Sequence, residues 1–225
     1  MSITARLLRY FAFIWIAILS LGTFYESFAH NHAFFLGFKQ AAIKTGWYMP
    51  AFYCHIFASS IILLVGFFQF SKTVYTNRRL HKVLGNIYII GVLFIAAPGA
   101  YVMTLFVGRG TGVFISFLVQ NTLWVVSTVL AFTLVKKGNI DEHVKMMRRS
   151  YGLAFGAVTL RFYILLFHVF GNGVNFDNNY IIIAFLSWVP NLVLVEMINI
   201  KEAKPQPPNP LKTKPPSPLK GELFD

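Results

Sequence analysis

Charge is the scarcest commodity in this 225-residue chain. Charged residues make up only 12% of it, and acids number 8 against 20 lysines and arginines. A soluble domain of this size carries about twice that charge. Cysteine is almost absent: Cys54 stands alone, which excludes an intrachain disulfide and leaves the redox compartment undetermined. Also missing are GxSxG, P-loop, CxxC, HExxH and glycine-rich dinucleotide sequences, and any carboxylate pair spaced for acid–base work. No repeat of solenoid length occurs. What remains is grease: 56% hydrophobic residues and 24 phenylalanines.

The apolar residues gather into six runs, about 8–25, 48–70, 84–106, 112–135, 150–170 and 179–199. Each approaches the roughly 20 residues that a bilayer-spanning helix needs. The expected fold is therefore all-α: a polytopic bundle of six transmembrane helices. Residues 1–47 supply the first helix and an external loop, 48–200 a five-helix core, and 201–225 a proline- and lysine-rich disordered tail. Arg6 and Arg9 before the first run, with Ser27-Phe28-Ala29 after it, also spell a signal-peptide grammar. The aromatic-rich run favours a retained helix, and cleavage would leave five spans.

The net charge of +12 by itself admits a nucleic-acid partner, but the cations sit in the gaps between apolar runs. Sixteen of the 20 fall in the N-terminus, the loops after the second and fourth runs, and the tail. The other loops hold Lys39, Lys44 and Arg109. The partner implied is the lipid bilayer, with both termini cytoplasmic and the chain a multi-pass protein of the cell inner membrane. The short turn Gly108–Gly112 makes the third and fourth runs antiparallel neighbours, and Pro98-Gly99 predicts a kink. In the first loop His30 and His32 are surface polar residues before they are metal ligands.

Polar groups inside such runs are the site candidates, with helix–helix adhesion as the plain alternative. Arg161, eleven residues into the fifth run, is expected to face the bundle interior. Its acceptor would be backbone carbonyls, Asn191 or an anion from outside the chain. His168 follows two turns later on the same face. His55, Ser59, Ile62, Gly66 and Gln69 form one stripe, and His81, Gly85 and Tyr88 another. Trp188, Pro190, Asn191 and Glu196 break the sixth run, with Glu196 expected to pair with Arg148 or Arg149.

Histidines thus fall in pairs toward each face, His55 with His168 outside and His81 with His143 inside. Two bis-histidine b-type haems would need such a distribution, with Arg161, Tyr88 or Arg149 meeting propionates. Three functions follow. One is a haem b protein moving electrons between a donor and an acceptor. Another is a carrier or binding protein for a small or lipidic anion, with Arg161 as counter-charge. The third is a scaffold without a ligand.

Several segments together resemble the bacterial membrane-protein family catalogued as domain of unknown function 2306. They are His55 with Gly66–Phe70, His81–Tyr88, Gly138–His143, Arg149-Ser150-Tyr151, Val158–Arg161, and Trp188–Asn191 with Glu196. The resemblance covers about 50 to 200 and implies a membrane bundle without a settled activity. It departs at Lys82, usually arginine in the family, and at Asn86, often arginine. The histidine-bearing bundle is also distantly similar to two-haem b-type cytochromes and ferric reductases.

Overall fold

The computed structural model describes residues 10–11, 13–18, 39–170 and 179–203. Most of the first run, the loop up to residue 38 and the tail from 204 lie outside the described residues. So do the expectations for His30, His32 and tail disorder.

Among the described residues every regular element is helical. A short helix α1 (Gln40–Ile43) precedes α2 (Tyr48–Gln69). Next come α3 (Lys72–Thr76) and α4 (Arg78–Ile90). The last passes through a π-helical segment, Gly91–Ala96, into α5 (Ala97–Leu105). Then follow α6 (Thr111–Lys136), α7 (Ile140–Ala154), α8 (Gly156–Phe170), α9 (Tyr180–Leu186) and α10 (Val189–Ala203). These combine into five helices long and apolar enough to cross a membrane: Tyr48–Gln69, Arg78–Leu105, Thr111–Lys136, Ile140–Phe170 and Tyr180–Glu202. In hydrocarbon every backbone polar group must be paired within the chain, and a helix does this within one segment. Of the first run, residues 13–18 are helical. Ile16 is fully buried in the main apolar cluster, and Trp15 meets the ring of Phe162 edge-on.

Two spans begin well before the apolar runs do. The third run was expected from residue 84, yet its helix starts at Arg78, where the Asn77 side chain accepts from Leu80 N at 3.1 Å. The fifth was expected from 150, yet α7 starts at Ile140 under an Asn139 cap, with Asp141 and Glu142 favourable in the first turn. Gly138, at φ +77°, makes the left-handed turn that ends α6 and lets α7 fold back along it. The expected kink at Pro98 takes the form of the π-helical segment just before it. Proline has no N–H for the preceding turn, and a widened turn accommodates the loss.

α2 packs along the whole α4–π–α5 span, α5 and the π segment pack on α6, and α6 packs on α7 and α9. α10 docks on α7. Contacts are made by small residues: Ala96, Ala131 and Ala184 are fully buried. The outward faces carry large apolar side chains such as Phe94 (73% exposed) and Leu105 (68%), the expected inversion for a surface bathed in lipid. Gly99 lies against the α2 backbone, where a Cβ would come within 2.5 Å of Ala51 O. At the end opposite the cationic loops, Lys39 Nζ donates to Phe106 O and Val107 O, each at 2.5 Å, and so caps the C-terminal carbonyls of α5. Burial, and then the Arg109 guanidinium, holds the Lys39 ammonium below its usual pKa.

Candidate functional site

The cation-rich end of the bundle carries the densest polar structure. His81 sits in the first turn of α4 and His143 in the first turn of α7. Seven residues on from each, Tyr88 Oη and Ser150 Oγ share a hydrogen bond at 2.9 Å. Seven residues is two turns, so each histidine lies on the face of its helix that makes this contact. The two imidazoles are within electrostatic reach of one another.

The surroundings fix the rings. His143 Nδ1 is 2.8 Å from Ala131 O on α6. A carbonyl can only accept, so Nδ1 carries the proton and Nε2 of the neutral ring keeps its lone pair. His81 Nδ1 is buried without a hydrogen-bond partner, and its ring meets Tyr75 edge-on at 5.8 Å. The His81 carbonyl accepts from Gln69 Nε2 at 2.8 Å, which ties the end of α2 to the first turn of α4. Gly85 makes room for that amide: a Cβ there would lie 3.1 Å from Gln69 Nε2. Gln69 Oε1 is buried with no partner.

Above the histidines lies a chain of hydroxyls. Thr128 Oγ1 donates to Trp124 O at 2.7 Å and is 2.7 Å from Ser150 Oγ. A hydroxyl has one proton. With that of Thr128 on Trp124 O, Ser150 donates to Thr128 and Tyr88 donates to Ser150. Tyr151 donates to Leu63 O at 3.1 Å, its ring filling the space that Gly66 leaves. Tyr88 and Tyr151 were legible as candidates. Ser150 and Thr128 were not, because lone hydroxyls in apolar helices are common and usually bond their own backbone.

Glu196 pairs with Arg149 through two parallel bonds, Nε to Oε1 at 2.5 Å and Nη2 to Oε2 at 2.7 Å. Arg148 instead reaches Glu202 at 2.6 Å and Asn199 at 3.3 Å. Together these fasten α10 to α7. Arg149 and Glu196 therefore satisfy each other as a structural clamp. Asn191 Nδ2 is likewise engaged by Thr159 Oγ1 at 3.1 Å and Ser187 O at 3.0 Å.

The opposite end is looser. His55 Nδ1 donates to Ala96 O at 2.8 Å, at the end of the π segment, which leaves Nε2 as the acceptor. Ser59 Oγ, one turn on, is buried without a hydrogen-bond partner. Arg161 is exposed and donates from Nη1 to Ala157 O at 2.9 Å, a backbone carbonyl of its own helix. It is within electrostatic reach of His55. His168 is exposed on α8, which packs on α7 and α9. The structure brings His81 near His143 and His55 near Arg161. It gives no contact between His55 and His168. Among the described residues no group of three histidine, cysteine or acidic side chains is placed to hold a metal ion.

A family model described as a predicted membrane protein, DUF2306, matches residues 52–199. Neither the curated proteins nor the solved structures gave a match, so the distant likeness to two-haem cytochromes gains no support.

Proposed function

From the premise that this chain belongs to the DUF2306 family of predicted membrane proteins, we propose that it holds one haem b at its cation-rich end, between His81 and His143. The observation that carries the reading is the His143 Nδ1 bond to Ala131 O at 2.8 Å. Histidines that ligate a metal characteristically commit their other nitrogen to a carbonyl or carboxylate, which fixes the tautomer and leaves the lone pair outward. His81 fits as the second ligand: its Nδ1 is buried and unbonded, so protein hydrogen bonds have not used up that ring. Arg78, one turn before His81 on the same face, is exposed and makes no ion pair among the described residues. It suits a propionate. Haem b would supply a one-electron couple, and the chain would serve electron transfer in the membrane, with its cationic loops in the cytoplasm. Tyr88, Ser150 and Thr128 would hold α4 and α7 at the separation that the two ligands need.

The protein expressed with haem supplementation and purified is expected to show a Soret band that shifts on dithionite reduction. His143→Ala and His81→Ala should each abolish the low-spin spectrum. A sample without a Soret band, or variants with an unchanged spectrum, would refute the site. Loss of stability alone in both variants would return the histidines to helix–helix adhesion.

The nearness of Arg161 to His55, with the Ser59 hydroxyl buried and unbonded beside it, favours a second reading: a small or lipidic anion bound at the opposite end. Arg161→Ala should then abolish anion binding while the bundle stays folded, and retained binding would exclude that reading.

A further inference from the structure

We propose that the groove between α2 and α4 is a binding site for an anionic glycerophospholipid, its phosphate held by Arg79 and one acyl chain laid along the groove. The groove has a volume of about 820 Å³ and is walled by Tyr53, Phe57 and Ile61 of α2 and by Val83, Ile87 and Ile90 of α4. It opens on the lipid-facing surface: Phe57, Ile87 and Ile90 are roughly half exposed. Four observations select the occupant. The lining is mostly apolar, with Asn86 toward the cation-rich end and Tyr53 and Cys54 toward the other as the residues that carry polar groups. Arg79, Val83, Asn86 and Ile90 recur at i, i+4, i+7 and i+11, one face of one helix. A cation, an amide and hydrocarbon therefore follow one another in the order of a phospholipid's phosphate, ester region and chain. Arg79 is exposed and, among the described residues, forms no ion pair or hydrogen bond. Its charge is thus open to an outside anion. From Val83 to Ile95 the wall runs about 18 Å at ~1.5 Å per residue, close to the ~15 Å hydrocarbon depth of one leaflet.

Arg79 is on a different face from His81. Arg78 lies between them, nearer the histidine, so this site is independent of the haem reading. An exposed cation near a membrane surface attracts anionic lipid by about fivefold, and a guanidinium adds paired hydrogen bonds to phosphate.

The test is native mass spectrometry of the full chain from mixed micelles containing phosphatidylglycerol or phosphatidylcholine at equal mole fraction. The expected result is one retained phosphatidylglycerol per chain and little phosphatidylcholine. Arg79→Glu should lower retention tenfold or more. Ile90→Trp, which fills the groove without touching the charge, should lower it comparably. Arg78→Glu, which removes only the general attraction of a surface cation, should lower it less than Arg79→Glu does. Arg78, Arg79 and Ile90 are all exposed, and circular dichroism of each variant checks that the bundle is intact. Equal retention of the two lipids, unchanged retention in Arg79→Glu, or a dimer without bound lipid would each overturn the proposal; the last would assign the groove to a second copy of the chain.

Discussion

Gly99→Ala tests the tightest joint in the bundle. A Cβ at Gly99 would lie 2.5 Å from Ala51 O, 2.9 Å from His55 Cβ and 3.1 Å from His55 N. Two of these three atoms are backbone, so no rotamer change relieves the clash and α2 must move away from α5. Overpacking of this kind costs about 1–3 kcal/mol, and a backbone obstacle places it at the upper end. Alanine's helix preference over glycine offsets about 1 kcal/mol of that. The net loss is about 2 kcal/mol, a roughly thirtyfold shift in the folding equilibrium. Gly91→Ala is the internal control. Its Cβ would meet Ile62 Cγ1 at 3.2 Å and Cδ1 at 3.3 Å, side-chain contacts that a shift of a few tenths of an ångström relieves, so its stability should stay within about 0.5 kcal/mol of wild type. The assay is reversible unfolding in mixed micelles of dodecyl maltoside and SDS, followed by far-ultraviolet circular dichroism. If Gly99→Ala unfolds at the wild-type SDS fraction, or Gly91→Ala proves the weaker of the two, the close approach of α2 and α5 at His55 is wrong.

Two further predictions use the same assay. Ser150→Ala strands both Tyr88 Oη and Thr128 Oγ1, although Thr128 keeps Trp124 O. Tyr88→Phe removes one hydroxyl and leaves the Ser150–Thr128 bond intact. Interhelical hydroxyl bonds in membranes are worth ~0.6 kcal/mol on average and up to ~1.7, so Ser150→Ala should cost about 1–2 kcal/mol and Tyr88→Phe less; the reverse order would contradict the place of Ser150 at the centre of the hydroxyl chain. Lys39 gives a pH dependence. Its folded-state pKa lies below the usual 10.5, so the unfolded chain binds more protons and stability rises with pH through the window below 10.5. Lys39→Met should remove that rise and, with the bonds to Phe106 O and Val107 O gone, lower stability near neutral pH by about 1–3 kcal/mol. An unchanged pH slope in the variant would show that Lys39 does not set it.

Residues of the proposed haem site were partly legible in advance. His81 and His143 stood out because, with His55 and His168, they place a pair of histidines toward each face of the membrane. Their positions within helices were not legible, since the polar caps at Asn77 and Asn139 begin α4 and α7 six and ten residues ahead of the apolar runs. Hydropathy is blind to such turns because their residues are largely polar. Glu196 had two arginines within sequence reach, and only the rotation of α10 against α7 selects Arg149 for it and gives Arg148 to Glu202.

By itself the sequence determined that the chain crosses a membrane as helices, where most spans lie, that the spans around Gly108–Gly112 run antiparallel, and which ends are cation-rich. The reason is that hydrocarbon offers the backbone no partner, so a long apolar run has one regular way to satisfy itself. Only the tertiary structure decided which face of each helix looks inward. Lipid is as apolar as the bundle core, so no hydrophobic gradient orients a helix about its own axis. That choice falls to close contacts such as Gly99 on Ala51 and to a few hydrogen bonds. It brought Arg161 within electrostatic reach of His55 and His81 within that of His143, and set Tyr88 on Ser150.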